Sequence, residues 1–268
     1  PSKDTQQSYI VTFSEPVTGV SAADFTPVVV SGTVSAGTVS SVNATTSSTY
    51  KVTVNGIIGD GVVRLDVLSA SAIVQDNYGN ALNTDYTAGE TYTIDQTVPT
   101  VSSIVIASPT VAWTPYNATS ATSLQFTVTF SESVTGVDAA DFTVTKDAVL
   151  TYSGLVVTGS GANYTVTING IVNNSLTGQY GQIRVNVKDN NTVVDGAGNF
   201  LGGPGASDGD FNTSITANQY YTIIFAEPTS PPITFTADNA TPTGFTLHWK
   251  PASSPTVQAN YYLIQLKK

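Results

Sequence analysis

Residues 11–26 read VTFSEPVTGVSAADFT, and residues 128–143 read VTFSESVTGVDAADFT. The two stretches differ only where Pro16 corresponds to Ser133 and Ser21 to Asp138. A match of this length within one chain means that a structural unit is built twice, and no catalytic motif in the sequence approaches it in strength.

The correspondence continues outward from that stretch. YKVTVNGI at 50–57 matches YTVTINGI at 164–171, and GVVRLDV at 61–67 matches GQIRVNV at 181–187. VQDNYGNAL at 74–82 matches VVDGAGNFL at 193–201, and TYTID at 91–95 matches YYTII at 220–224. Within these blocks Val, Ile, Thr, Tyr and Phe alternate with period two, and Gly, Asn, Pro and Ser cut the runs. That is the signature of strands and turns, and no stretch has helical periodicity. The spacing predicts an all-β fold of tandem immunoglobulin-like antiparallel β-sandwiches. The expected domains are residues 1–96, residues 97–226 and a partial module at 227–268. Before its motif the second copy has room for a full first strand. The first copy has only Pro1 to Ser8, so its first strand is expected to be missing or incomplete.

The composition excludes several classes of function. Nineteen acidic residues against 9 basic ones give a formal net charge of −10. Phosphate contacts and anionic membrane surfaces both require clustered Lys and Arg, so neither nucleic acid nor a membrane is an expected partner. Cysteine is absent, which removes disulfides, thiolate metal sites and a Cys nucleophile. No apolar run reaches the roughly 18 residues that mark a membrane-spanning helix. The chain starts without Met or a signal peptide, and Pro1 is expected to be internal to something longer.

The strongest chemical candidate is a cation site at one pole of the second sandwich. In an immunoglobulin-like arrangement the end of the second strand and the loop before the last strand meet there. This gathers Glu132, Asp141, Asp195 and Asn199, with Asp95 arriving from the preceding domain. Calcium takes six to eight oxygens from carboxylates, amides and carbonyls, and it is the cation such a set fits. Each residue also has a structural reading: D-x-x-G-N is a good turn, and A-A-D-F is a capped turn that delivers Phe142 to the core. Asp208, Asp210 and Asn212 form a D-x-D-x-N run that lacks the Gly and distal Glu of an EF-hand loop. His248 is the single histidine, and on an alternating strand it points away from Trp249, which argues against a hydrolytic triad. Trp113, Tyr116, Tyr78 and Tyr86 are aromatic side chains that would suit sugar stacking if exposed.

The pattern F-S-E-x-V-T-G-V-x-x-x-D-F, followed by D-x-x-G-N and a linker with Asp95, Thr97, Pro99 and Thr100, resembles the bacterial Ig-like repeats of very large surface proteins. The likeness covers both copies. GFTLHWKPAS at 244–253 and NYYLIQLKK at 260–268 resemble the opening strands of a fibronectin type III module, in which Trp249 and Tyr262 would be core residues. The resemblance implies a non-enzymatic stalk or spacer of an extracellular, cell-surface adhesin, with calcium in some members. Expected partners are neighbouring repeats of the same polypeptide, surface glycans or other cell-surface proteins. Two alternatives remain open on the sequence: accessory modules of a secreted polysaccharide-degrading enzyme, and a filament subunit that exchanges strands.

Overall fold

The computed structural model describes residues 1–69, 73–110, 117–174, 180–215, 218–224, 234–241 and 244–250. Nearly all regular structure in it is β, with two short 3-10 turns, as expected for an antiparallel sandwich fold. The chain forms two compact units that do not follow the sequence repeats. The first comprises residues 1–100, 131–136 and 189–209, and the second comprises 101–130, 137–188 and 210–268.

The first repeat contributes eight strands: β1 (Gln6–Thr12), β2 (Val17–Thr18), β3 (Phe25–Gly32), β4 (Thr38–Ala44), β5 (Thr49–Asn55), β6 (Gly61–Val67), β7 (Gln75–Asp76) and β8 (Thr91–Ile94). They pair as β1-β5-β4 and β3-β6-β8, with β2 and β7 as a small third ladder. Residues that alternate along β5 and β6 point between the two sheets. Val52, Val54, Val63, Leu65 and Val67 form one core there with Phe25, Ile57 and Ile94. Each such side chain removed from water stabilises the fold by about 1.5–3 kcal/mol.

The second repeat follows the same plan. Its strands are β9 (Val101–Ser108), β10 (Ala118–Thr119), β11 (Ser123–Thr135), β12 (Phe142–Lys146), β13 (Leu150–Thr151), β14 (Gly154–Asn169), β15 (Val172–Asn173), β16 (Gly181–Val187), β17 (Val194–Asp195) and β18 (Tyr221–Ile223). The order β12-β16-β18-β10 reproduces β3-β6-β8, and β10 runs parallel to β18 as Ser2 does to Ile94. Aromatic pairs are duplicated as well. Tyr9 meets Tyr92 edge-on at 5.1 Å, and Phe126 meets Tyr221 at 5.3 Å. Phe13 and Tyr50 are 5.8 Å apart, and their counterparts Phe130 and Tyr164 are 5.7 Å apart.

The two A-A-D-F stretches are capped 3-10 turns. Asp24 Oδ2 accepts a hydrogen bond from the Ser21 amide at 2.7 Å, and Asp141 Oδ2 accepts one from the Asp138 amide at 2.7 Å. Both turns deliver a buried Phe, Phe25 and Phe142, into the next strand. Beyond the second repeat, β19 (Thr234–Thr241) and β20 (Gly244–Lys250) form an antiparallel hairpin in which Phe235 is opposite Trp249. Tyr262 and the rest of 251–268 lie outside the described residues, as do Trp113 and Tyr116.

The V-T-G-V glycines explain their own repetition. Gly19 has φ of 81° and Gly136 of 84°, the left-handed region in which a Cβ is strained. A Cβ on Gly19 would lie 2.3 Å from the Ile73 carbonyl oxygen, and one on Gly136 2.1 Å from that of Thr192. Gly19→Ala or Gly136→Ala is therefore expected to lower stability by more than about 1 kcal/mol, measured by denaturant unfolding.

Candidate functional site

The candidate site lies within the first compact unit and is assembled from three segments far apart in sequence. Asp95 follows β8, Glu132 lies near the end of β11, and Asp195 ends β17. One carboxylate oxygen from each lies within 4.8 Å of the other two. Oxygens on opposite sides of one calcium ion, each about 2.3–2.6 Å from it, are separated by just this span. Among the described residues no other group of His, Cys, Asp and Glu side chains converges in this way.

Local structure places each acid. The Glu132 segment is held by the Ser131 amide, which donates to the Thr100 carbonyl at 2.8 Å, and by the Thr100 amide, which donates to Ser131 Oγ at 2.9 Å. Asp195 opens the D-x-x-G-N loop. Its Oδ1 accepts from the amides of Ala197 and Asn199 at 2.8 and 2.9 Å, and its Oδ2 accepts from Asn199 Nδ2 at 2.8 Å. A carboxylate has about four acceptor positions, so three such bonds leave one for a ligand. Asn199 Nδ2 also donates to the Asp95 backbone carbonyl at 3.0 Å, which ties the third segment to the loop. Close by, Lys3 donates to the Gly198 carbonyl and lies over the Phe200 ring at 5.1 Å.

The electrostatics of the site are unfavourable as it stands. Burial raises the Asp95 carboxyl above the usual carboxylate range, and the Asp195 charge raises it further. Glu132 is raised for the same reasons in the same order, with Asp95 and Asp60 adding to the repulsion. A hydrogen bond from the Thr97 backbone opposes the effect at Asp95. Among the described residues the one ion pair is Arg64–Asp66, and it does not involve these acids.

Of the five residues expected at this pole, the structure brings four together, and Asn199 serves as a bridge through its amide nitrogen. Asp141 does not join them. It caps its own 3-10 turn in the second unit, and its buried carboxylate is engaged by backbone. The first repeat builds the same loop around Asp76, whose oxygens accept from Tyr78, Asn80 and the Asn80 side chain. No group of three acids forms there among the described residues. Asp208 accepts from the Gly205 amide at 3.0 Å and caps a local turn. Tyr78 and Tyr86 are exposed, at 90% and 58%. Asp60 escaped the sequence reading: it accepts from the Gln96 amide at 2.6 Å and contributes charge to the site, and nothing in its local sequence marks it.

No family model matches the chain, and no curated protein matches it. Among solved structures, the N-terminal periplasmic domain of ScsB from Proteus mirabilis is similar at 12% identity and a TM-score of 0.19. The alignment covers 66% of this chain and 76% of that one. At that TM-score the likeness carries no argument about fold or function. No helix among the described residues is long and apolar enough to cross a membrane.

The raised carboxyls set the sign of a pH effect. A group whose folded-state pKa lies above its unfolded value binds its proton more tightly when folded. The folded state is then favoured at low pH and loses that advantage as pH rises through the folded value. In chelator, unfolding midpoints are expected to rise as pH falls from neutral towards the ordinary carboxylate range. Glu132→Gln is expected to flatten that rise and to gain a few degrees at neutral pH, as read by calorimetry.

Proposed function

We propose that this chain is a non-enzymatic spacer segment of a long, repetitive extracellular adhesin, stiffened by calcium held between Asp95, Glu132 and Asp195. The observation that supports this most is duplication at the level of architecture. Strand order, aromatic pairs, capped turns and D-x-x-G-N loops all recur from one repeat to the next. Repetition of one architecture gives reach, because each copy adds length. The resemblance of the two motifs to bacterial Ig-like surface repeats points the same way and supplies the extracellular setting.

Calcium fits the chemistry of the cluster better than a proton or a lysine does. A divalent cation removes the mutual repulsion of three partly buried carboxylates and takes up oxygen positions that local turns leave over. It binds the folded state alone, because the three ligands come together only on folding, so it stabilises by mass action.

A stalk must resist extension, and antiparallel ladders pulled from their ends do so through many hydrogen bonds at once. Single-molecule pulling on this chain is expected to show discrete unfolding events. Each would release roughly 350 Å of contour, less the folded length, from about 3.5 Å for every residue in a repeat of about 100. Their force is expected to be higher in calcium than in chelator. Smooth extension at low force, unchanged by calcium, would remove the stalk reading.

A further inference from the structure

The chain contains two Asn-Gly steps, and they are counterparts. Asn55-Gly56 closes β5 in YKVTVNGI, and Asn169-Gly170 closes β14 in YTVTINGI, each followed by Ile. The backbones agree, since both glycines are left-handed, Gly56 with φ of 75° and Gly170 with φ of 63°. An Asn-Gly step is chemically labile because glycine, having no Cβ, leaves its amide nitrogen unshielded and free to approach the preceding side chain.

The surroundings of the two steps differ. Asn55 and Gly56 are exposed, and among the described residues the Asn55 side chain has no hydrogen-bond partner. A Cβ placed on Gly56 would meet nothing within 4 Å, so a ring closing there has room. Asn169 is half-buried, and Ser123 Oγ donates to its Oδ1 at 2.8 Å, which fixes the side chain. The Ser153 amide and hydroxyl both donate to the Asn169 carbonyl, at 2.9 and 3.2 Å. A Cβ on Gly170 would lie 2.1 Å from Ser153 Oγ, so the space that is open at Gly56 is occupied at Gly170.

We infer that Asn55 is a site of spontaneous deamidation in the folded protein, and that Ser123 and Ser153 hold its counterpart Asn169 unreactive. The Gly56 amide nitrogen gives up its proton to solvent base and attacks Asn55 Cγ. A bond forms between them, the bond from Cγ to the side-chain nitrogen breaks, and that nitrogen takes a proton from water and leaves as ammonia. Water then opens the five-membered succinimide at one of its two carbonyls. Attack at Cγ leaves aspartate. Attack at the Asn55 backbone carbonyl leaves isoaspartate, in which the main chain runs through Cγ and is one methylene longer. That added length falls just ahead of Ile57, which is fully buried, and of the loop that grips the linker. There Gln96 Nε2 donates to the Ile57 carbonyl at 3.1 Å, and the Gly59 amide donates to Gln96 Oε1 at 2.9 Å. The inference is independent of calcium and of the stalk reading.

The test incubates the intact chain in mildly alkaline buffer, with and without concentrated urea. Both steps are followed by peptide mapping and mass spectrometry with electron-based fragmentation, which separates aspartate from isoaspartate. In the folded chain Asn55 is expected to convert roughly tenfold faster than Asn169 or more, a barrier difference of about 1.4 kcal/mol. In urea the two rates are expected to converge, because the flanking sequences are nearly the same. Ser123→Ala and Ser153→Gly are each expected to speed conversion at Asn169 and to leave Asn55 unchanged, with circular dichroism confirming that the variants are folded. Equal rates in the folded wild-type chain would overturn the inference. So would the same ratio of rates in urea, which would assign the difference to local sequence, or an Asn169 rate unmoved by both folded variants.

Discussion

Three carboxylates within 4.8 Å of one another, all at least partly removed from water, repel each other. The surrounding structure has to hold them there. Backbone does most of that work. The D-x-x-G-N loop fixes Asp195 through three hydrogen bonds, Asn199 reaches across to the Asp95 carbonyl, and paired contacts between Ser131 and Thr100 fix the strand that carries Glu132. Each bond is worth only about 1 kcal/mol net, but together they define the position of every acid before any ion arrives. That preorganisation sets the cluster apart from a patch of surface charge.

The same loop chemistry occurs in the first repeat around Asp76 without a converging set of acids. The loop is thus a structural turn first. The site arises from the company it keeps, when Asp95 and Glu132 are brought to it. This also accounts for the way the compact units cut across the repeats: residues 131–136 and 189–209 belong with 1–100, the segments that the cluster and its hydrogen bonds join.

Much of this was legible in the sequence, and for physical reasons. Period-two alternation in YKVTVNGI and YTVTINGI, interrupted by Gly and Asn, leaves little choice but paired strands, and the duplication fixed which residues are equivalent. The convergence of Asp95, Glu132, Asp195 and Asn199 was legible because loop and strand-end positions follow from that plan. Asp141 was not separable from them, since an acid that caps a turn and an acid that faces a ligand look alike in one dimension. Its carboxylate is taken up by the amide of Asp138, three residues away, a bond decided by local geometry. Asp60 was missed for the converse reason: its role depends on Gln96 and on a field from residues distant in sequence.

The account turns on whether the three acids hold one ion. Crystals grown with calcium, measured where its anomalous scattering is appreciable, test that most directly. The account predicts a single strong anomalous peak about 2.3–2.6 Å from oxygens of Asp95, Glu132 and Asp195. Three carboxylates bonded only to water at saturating calcium, with no peak between them, would contradict it.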